Sequence, residues 1–170
     1  MPTLHVCALS RLPETVATTG ARRMVTLINA GTPVTRPPAI AETDHLFVGI
    51  SDITDALDGH VLPDEVHVRR LLDFVRDWDR AQPLVIHCYA GISRSTAAGF
   101  IAACALRPDR DEAEIARELR EASPSATPNR RLVAVADALL GRDGRMVAAV
   151  ASIGRGADAF EGEPFSLTVE

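Results

Sequence analysis

In the segment PLVIHCYAGISRSTAAGF, residues 83 to 100, a histidine (His87) precedes a cysteine (Cys88), and a glycine (Gly91), an arginine (Arg94) and a serine (Ser95) follow at short intervals. A thiolate is a strong nucleophile and can carry a group covalently. Arginine presents a planar fork that grips two phosphate oxygens at once, which a lysine cannot do. Between them, the loop CYAGISR can turn successive backbone N–H groups inward, and Gly91 lets its backbone approach an anion without a Cβ in the way. A helix beginning near Ser95 adds its positive end. Cys88, Tyr89, Ala90, Gly91, Ile92, Ser93 and Arg94 therefore read as a cradle for a dianion, in a field that favours thiolate over thiol.

The elements needed to hold such a loop are legible around it. Apolar runs at 4–9, 24–28, 46–50 and 84–88 are short, flanked by turn-formers and continuous rather than alternating, as in strands of a parallel sheet covered on both faces. LPDEVHVRRLLDFVRDWD predicts a helix with Pro63 in its first position, Asp64 and Glu65 in its first turn, and Val68, Leu71, Leu72, Val75 and Trp78 on one face. It makes a strand–helix–strand crossover that leads directly into Cys88, at the strand end where open α/β sheets bind ligands. Four further helices are expected, over about 95–106, 111–122, 130–141 and 145–154. The prediction is a single α/β domain over 1–154, with a central, mostly parallel twisted sheet of four to five strands and helices on both faces. Residues 32–44 read as a proline-rich surface loop. Residues 155–170 read as a C-terminal tail, either frayed or adding an edge strand through Phe165, Leu167 and Val169.

Composition narrows the chemistry. The chain has 170 residues, 46% hydrophobic and 24% charged, with a net charge of −5. That size supports one well-buried core. No window is long and apolar enough to span a membrane, and the acidic balance disfavours nucleic-acid or anionic-membrane surfaces. All 18 basic side chains are arginines, which removes Schiff-base chemistry and lysine-bearing phosphate loops. Three cysteines and an opening MPTLHVCALSRLPET without a secretory pattern imply free thiols in a reducing, cytoplasmic setting.

The run His87-Cys88-x-x-Gly91-x-x-Arg94-Ser95 resembles the signature of the cysteine-dependent protein tyrosine and dual-specificity phosphatases, with the strand before it and the helix after it in the family's order. The likeness to the compact dual-specificity group covers about 44–140. It includes SPSATPNRRL (123–132), which is similar to the Pro-Asn segment that opens a late helix there; residues 1–43 match in strand order alone. The resemblance implies hydrolysis of phosphotyrosine, phosphoserine or phosphothreonine proteins, or of a small phosphomonoester, without metal or cofactor. It casts Cys88 as nucleophile, Arg94 and the loop amides as stabilisers of the transferred phosphoryl group, Ser95 as hydrogen-bond donor to the departing thiolate, and His87 as a residue that orients the loop. It also implies a general-acid aspartate on the loop after the preceding strand. Asp52, Asp55 and Asp58 lie there, and Asp52, framed by Ile50 and Ile53, is favoured.

Two other functions fit parts of the pattern. One is a catalytically weak phosphate-binding module that keeps Arg94 but lacks a working acid. The other is a rhodanese-like sulfur transferase, which also uses a strand-end cysteine in an anion-binding loop. With no cation at Tyr89, Ala90, Ile92 or Ser93, polyanionic phosphoinositides are not expected as substrates. With no aromatic-rich recognition element, a shallow, permissive pocket is. Cys104 reads as core. Cys7 reads as core or, less favoured, as a disulfide partner for Cys88. His45, His60 and His67 read as loop and surface residues, and Arg69, Arg70, Arg130 and Arg131 as solvated helix faces, with Arg130 or Arg131 a weak candidate to border the substrate.

Overall fold

A computed structural model describes every residue from Met1 to Glu170. Five strands, β1 (Thr3–Ala8), β2 (Arg23–Ile28), β3 (His45–Gly49), β4 (Leu84–Cys88) and β5 (Phe165–Thr168), form one sheet in the order β3-β2-β4-β1-β5. The first four are parallel and β5 is antiparallel to β1. β4 is buried at every position, which is why Leu84, Val85 and Ile86 follow one another without polar alternation. β5, at an edge, alternates buried Phe165 and Leu167 with exposed Ser166 and Thr168. Of the two expectations for the tail, the edge strand is the one that forms.

Six helices flank the sheet. α1 (Leu12–Thr19) lies on one face, where Leu12 and Val16 pack with Cys7, Met24, Ile40 and Val85 in a small core. The sequence reading leaves this helix unassigned. Its signals are Pro13 in the first turn and Gly20 closing it in the left-handed conformation, with φ 72°. Ile40 is fully buried, so the proline-rich segment is pinned to this face although most of it is exposed.

The larger core lies on the opposite face, beneath α2 (Glu65–Arg76), α3 (Arg94–Leu106), α4 (Glu112–Ala122), α5 (Arg130–Leu140) and α6 (Arg145–Ile153). α3 is buried from Arg94 through Cys104, as a helix apolar on all sides must be. Its small residues bring it close to the sheet: a Cβ at Gly99 would sit 3.1 Å from Val6 Cγ2. α2 begins at Glu65, two residues later than expected. Pro63 precedes the N-cap Asp64, whose side chain accepts from the Glu65 N–H while its own N–H donates to His67 Nδ1 at 3.0 Å. Trp78 falls beyond the helix, buried, with Nε1 donating to the Gln82 carbonyl. No helix is long and apolar enough to cross a membrane.

Candidate active site

All four parallel strands end on one edge of the sheet, so Leu9, Asn29, Ile50 and Tyr89 leave it side by side. Crossovers on opposite faces diverge around β4, and the segment after β4 lies in the resulting crevice. Four of its carbonyls are taken by donors outside the loop. Leu9 N–H bonds Tyr89 O at 3.1 Å, Gly162 N–H bonds Ala90 O at 2.8 Å, Thr127 N–H bonds Ile92 O at 2.9 Å, and the Ala97 and Asn129 N–H groups bond Ser93 O. A trans peptide points its N–H opposite to its C=O. Pulling these carbonyls outward therefore turns the N–H groups of Ala90, Gly91, Ser93 and Arg94 toward the interior of the loop. Gly91 N–H accordingly meets Cys88 Sγ at 3.2 Å. Gly91 has φ 70°, and a Cβ there would lie 2.8 Å from Ala8 N, so two constraints demand glycine.

Cys88 is buried and its Sγ lies 3.0 Å from Ser95 Oγ, so a backbone N–H and a hydroxyl converge on the sulfur. Ser95 lies inside α3, while Ser93 occupies the N-cap and gives its hydroxyl to Asp52 Oδ1 at 2.7 Å instead of capping the helix. The first N–H groups of α3 thus keep no side-chain cap and face the loop.

Arg94, 7% exposed, donates from Nη1 to Asn29 Oδ1 at 2.7 Å and to Ile50 O at 2.9 Å, while its buried Nε has no partner. Buried Nε groups without partners also occur in Arg23, Arg107 and Arg120, so the atom alone is not diagnostic. The charge is. Among the three fully buried arginines, Arg107 pairs with Glu118 and Arg142 with Glu112, whereas Arg94 has no carboxylate. An isolated buried cation is costly unless an anion compensates it.

The three acid candidates separate clearly. Asp52 lies against the loop, where Oδ1 also accepts from Asn129 Nδ2 at 2.9 Å. Asp55 is exposed and bonded only by Thr54, and Asp58 is exposed with no bond to the loop. Ser51 and Val61 close the base of this acid loop through Ser51 N–H to Val61 O and Val61 N–H to Ser51 Oγ. Asn129, which sequence reasoning did not single out, ties three parts together: it donates to Asp52 and Ile53 O, its Oδ1 caps α5 at Leu132, and its N–H holds Ser93 O. Asn29 was also missed. The Pro-Asn segment was a visible signal for Asn129, but nothing local marks Asn29.

His87 is fully buried behind the loop, and burial holds its imidazole down to about 4, neutral at physiological pH. Nδ1 lies 3.3 Å from Cys88 O and Nε2 2.7 Å from Thr26 Oγ1, which is also 2.7 Å from His45 Nε2. A carbonyl only accepts, so Nδ1 carries the proton, Nε2 accepts from the Thr26 hydroxyl, and His45 donates to Thr26. His45 is thus a half-buried member of a chain behind the loop that follows β4, not a surface residue. The neutral His87 has a measurable cost in acid. Unfolded imidazole titrates near 6.5 and the folded group near 4, so this contribution is complete above pH 6.5 and is lost as pH falls toward 4. His5 and His45 shift the same way through burial. Chemical unfolding should show a stability loss of about 2 kcal/mol from His87 alone between pH 7.5 and 5; equal stability at the two pH values would contradict a buried neutral ring.

The remaining assignments divide. Burial raises the Cys7 thiol to about 11 and the Cys104 thiol to about 12, as expected for core residues. Cys7 points to the α1 face with Val85, whereas strand alternation sends Cys88 to the α3 face with Leu84 and Ile86. All three cysteines are free, and that opposition disfavours a Cys7–Cys88 bond. Arg131 bonds Pro63 O and Asp64, fastening α5 to the start of α2, and Arg130 lines a small groove toward α6. Neither borders the loop.

No family model matches the chain. Over 71 residues, 41% of its length, it is 32% identical to the thiosulfate sulfurtransferase GlpE of Pseudomonas syringae pv. syringae (strain B728a), and the match spans 66% of that protein, just under two thirds. The crystal structure of human DUSP28 is similar at a TM-score of 0.62 and 19% identity, covering 84% of this chain and 96% of that one. That of the human tyrosine phosphatase-like serine/threonine/tyrosine-interacting protein is similar at 0.65 and 14%, covering 84% and 94%. At these identities the shared property is the fold.

Proposed function

We propose that this chain, which has the fold of the compact dual-specificity phosphatases, is a phosphomonoester hydrolase working through a cysteinyl-phosphate intermediate. The observation that carries this reading is the buried, carboxylate-free charge of Arg94 at the end of a loop whose amides face inward around Cys88. That arrangement favours a dianion above the sulfur. In the first step the Cys88 thiolate attacks phosphorus in line and the P–O bond to the leaving group breaks. The leaving oxygen takes that electron pair and a proton from Asp52, while Arg94 and the loop amides stabilise the charge spread over the equatorial oxygens. In the second step water attacks phosphorus, gives its proton to the Asp52 carboxylate and releases inorganic phosphate. The Ser95 hydroxyl, 3.0 Å from Sγ, stabilises the departing thiolate. Substrates on this reading are phosphorylated proteins or a small phosphomonoester.

The similarity to a thiosulfate sulfurtransferase supports a second reading, in which the same thiolate takes a sulfane sulfur. What favours phosphate is an acid held beside the loop by Ser93 and Asn129, since sulfur transfer needs no such acid, together with the Ser95 hydroxyl within hydrogen-bond distance of the sulfur. The two readings part in one pair of assays. Purified protein should hydrolyse an aryl phosphate in the presence of chelator, with inhibition by vanadate, and should not form thiocyanate from thiosulfate and cyanide. Thiocyanate formation with no release of phosphate would replace the hydrolase by the transferase.

A further inference from the structure

The residues between α6 and β5 are not a loose connection. They cross the edge of the sheet beside the catalytic loop and are fastened at both ends. At the first end, Gly156 N–H donates to Thr127 Oγ1 at 3.1 Å and Ala157 N–H to Pro124 O at 2.9 Å. At the second, Gly162 N–H holds Ala90 O, Glu161 accepts from Ser10 Oγ at 2.7 Å, and Glu163 pairs with Arg11 at 3.1 Å. Both glycines sit where no side chain fits. A Cβ on Gly156 would lie 2.5 Å from the Ser125 carbonyl carbon, and one on Gly162 would lie 2.7 Å from Gly91 O. Between these anchors the strap stands away from the body and encloses an open cleft of about 560 Å³. Asp52, Ile92, Ser93 and Thr127 of the body line it together with residues 155–160 of the strap.

Single exposed apolar side chains are ordinary on a protein surface, and of the large exposed ones here Phe160 alone lines this cleft. Phe160, 94% exposed, and Ile92 of the phosphate loop both line the cleft; Tyr89, 61% exposed, belongs to the same loop, and Leu57, 56% exposed, lies on the loop that carries Asp52. The strap has one arginine, Arg155, already paired with Asp158 at 2.8 Å, and two further acids, Glu161 and Glu163. Such a rim repels a multiply charged ligand and favours one whose only strong charge is the phosphate in the loop.

We propose that this strap is the second wall of the substrate cleft and that Phe160 is its specificity-determining residue, packing against the aromatic body of an aryl phosphomonoester such as a phosphotyrosyl side chain. The proposal rests on the hydrolase reading for the position of the phosphate. It also supplies from the C-terminal segment an aromatic side chain to the cleft, whose other lining residues include none. A flat ring held between Ile92 and Phe160 buries apolar surface on both faces, which a sugar or polyol phosphate does not.

The test compares two readouts on one preparation of the full chain: KM for a phosphotyrosyl peptide, and Ki for inorganic phosphate, which reads the loop alone. Phe160→Ala should raise KM about tenfold relative to Ki, with Phe160→Tyr restoring the wild-type ratio. Titration of the peptide onto Cys88→Ser with and without Phe160→Ala should show the same loss of affinity without turnover. A KM that does not move, or moves only in step with Ki, overturns the wall. A wild-type chain that hydrolyses neither the peptide nor an aryl phosphate, yet binds the peptide in a Phe160-dependent way, would instead overturn the hydrolase reading and leave the wall standing.

Discussion

Replacing Cys88 by serine is expected to lower turnover of an aryl phosphate on the order of 10⁵-fold or more, with the fold intact, because a hydroxyl in that position is not ionised and cannot act as the nucleophile. The protein already surrounds the sulfur with hydrogen-bonding groups, Gly91 N–H and Ser95 Oγ, and a serine oxygen would meet the same partners without strain. Arg94→Lys is the sharper companion, since it keeps the charge. Arg94 divides its nitrogens: Nη1 is spent on Asn29 and Ile50, and Nε and Nη2 remain for an anion. A lysine has a single nitrogen. It can keep the anchors or reach the phosphate, but it cannot do both in the fixed geometry that a phosphoryl transition state requires. A loss of about 10²- to 10³-fold in kcat/KM is expected, with thermal unfolding close to wild type. Near-normal kcat/KM in Arg94→Lys would remove phosphoryl transfer from consideration, whatever Cys88→Ser shows.

The parts of this site that could be read from the chain are those encoded locally. β4 announces itself because a strand covered on both faces favours an apolar run such as Leu84-Val85-Ile86, and the turn at Gly91 and the fork at Arg94 follow within one short segment. Asn29, Asn129, Thr26 and His45 are a different kind of information. They reach the catalytic loop because β2 lies between β3 and β4 and because α5 starts beside Ser93, and neither strand order nor helix docking is written in any window of the sequence. His45 shows the difficulty well. At the start of an edge strand it resembles a solvated residue until the parallel register places it within reach of Thr26, and Thr26 beside His87. The tail was hard for a related reason. Its glycines and acids have the composition of a flexible segment, yet Gly156 and Gly162 are there because the backbone passes within contact of two carbonyl groups.

Asp52→Asn is expected to lower kcat for an aryl phosphate on the order of 10²-fold or more and to abolish the alkaline limb of the kcat profile, since the amide fits the same space but has no proton to give to the leaving oxygen. The reasoning from position is direct. Asp52 follows Ile50, whose carbonyl is itself bonded to Arg94, so the acid loop and the phosphate fork are joined within two residues. Ser93 and Asn129 both donate to Oδ1, which leaves Oδ2 as the oxygen available for the proton. Asparagine could still accept the Ser93 and Asn129 hydrogen bonds through its own carbonyl oxygen, so the variant should retain substrate binding and lose proton transfer, a fall in kcat with little change in KM. The loss should shrink as the leaving group becomes a better one, because an acidic phenol departs without protonation. Asp55→Asn is the control: its carboxylate is exposed and bonded only to the neighbouring Thr54, and its removal should leave the profile as it was. If instead the alkaline limb survives in Asp52→Asn and vanishes in Asp55→Asn, the acid loop must close over the substrate by a rearrangement that breaks the Asp52 contacts with Ser93 and Asn129 and brings Asp55 to the leaving oxygen.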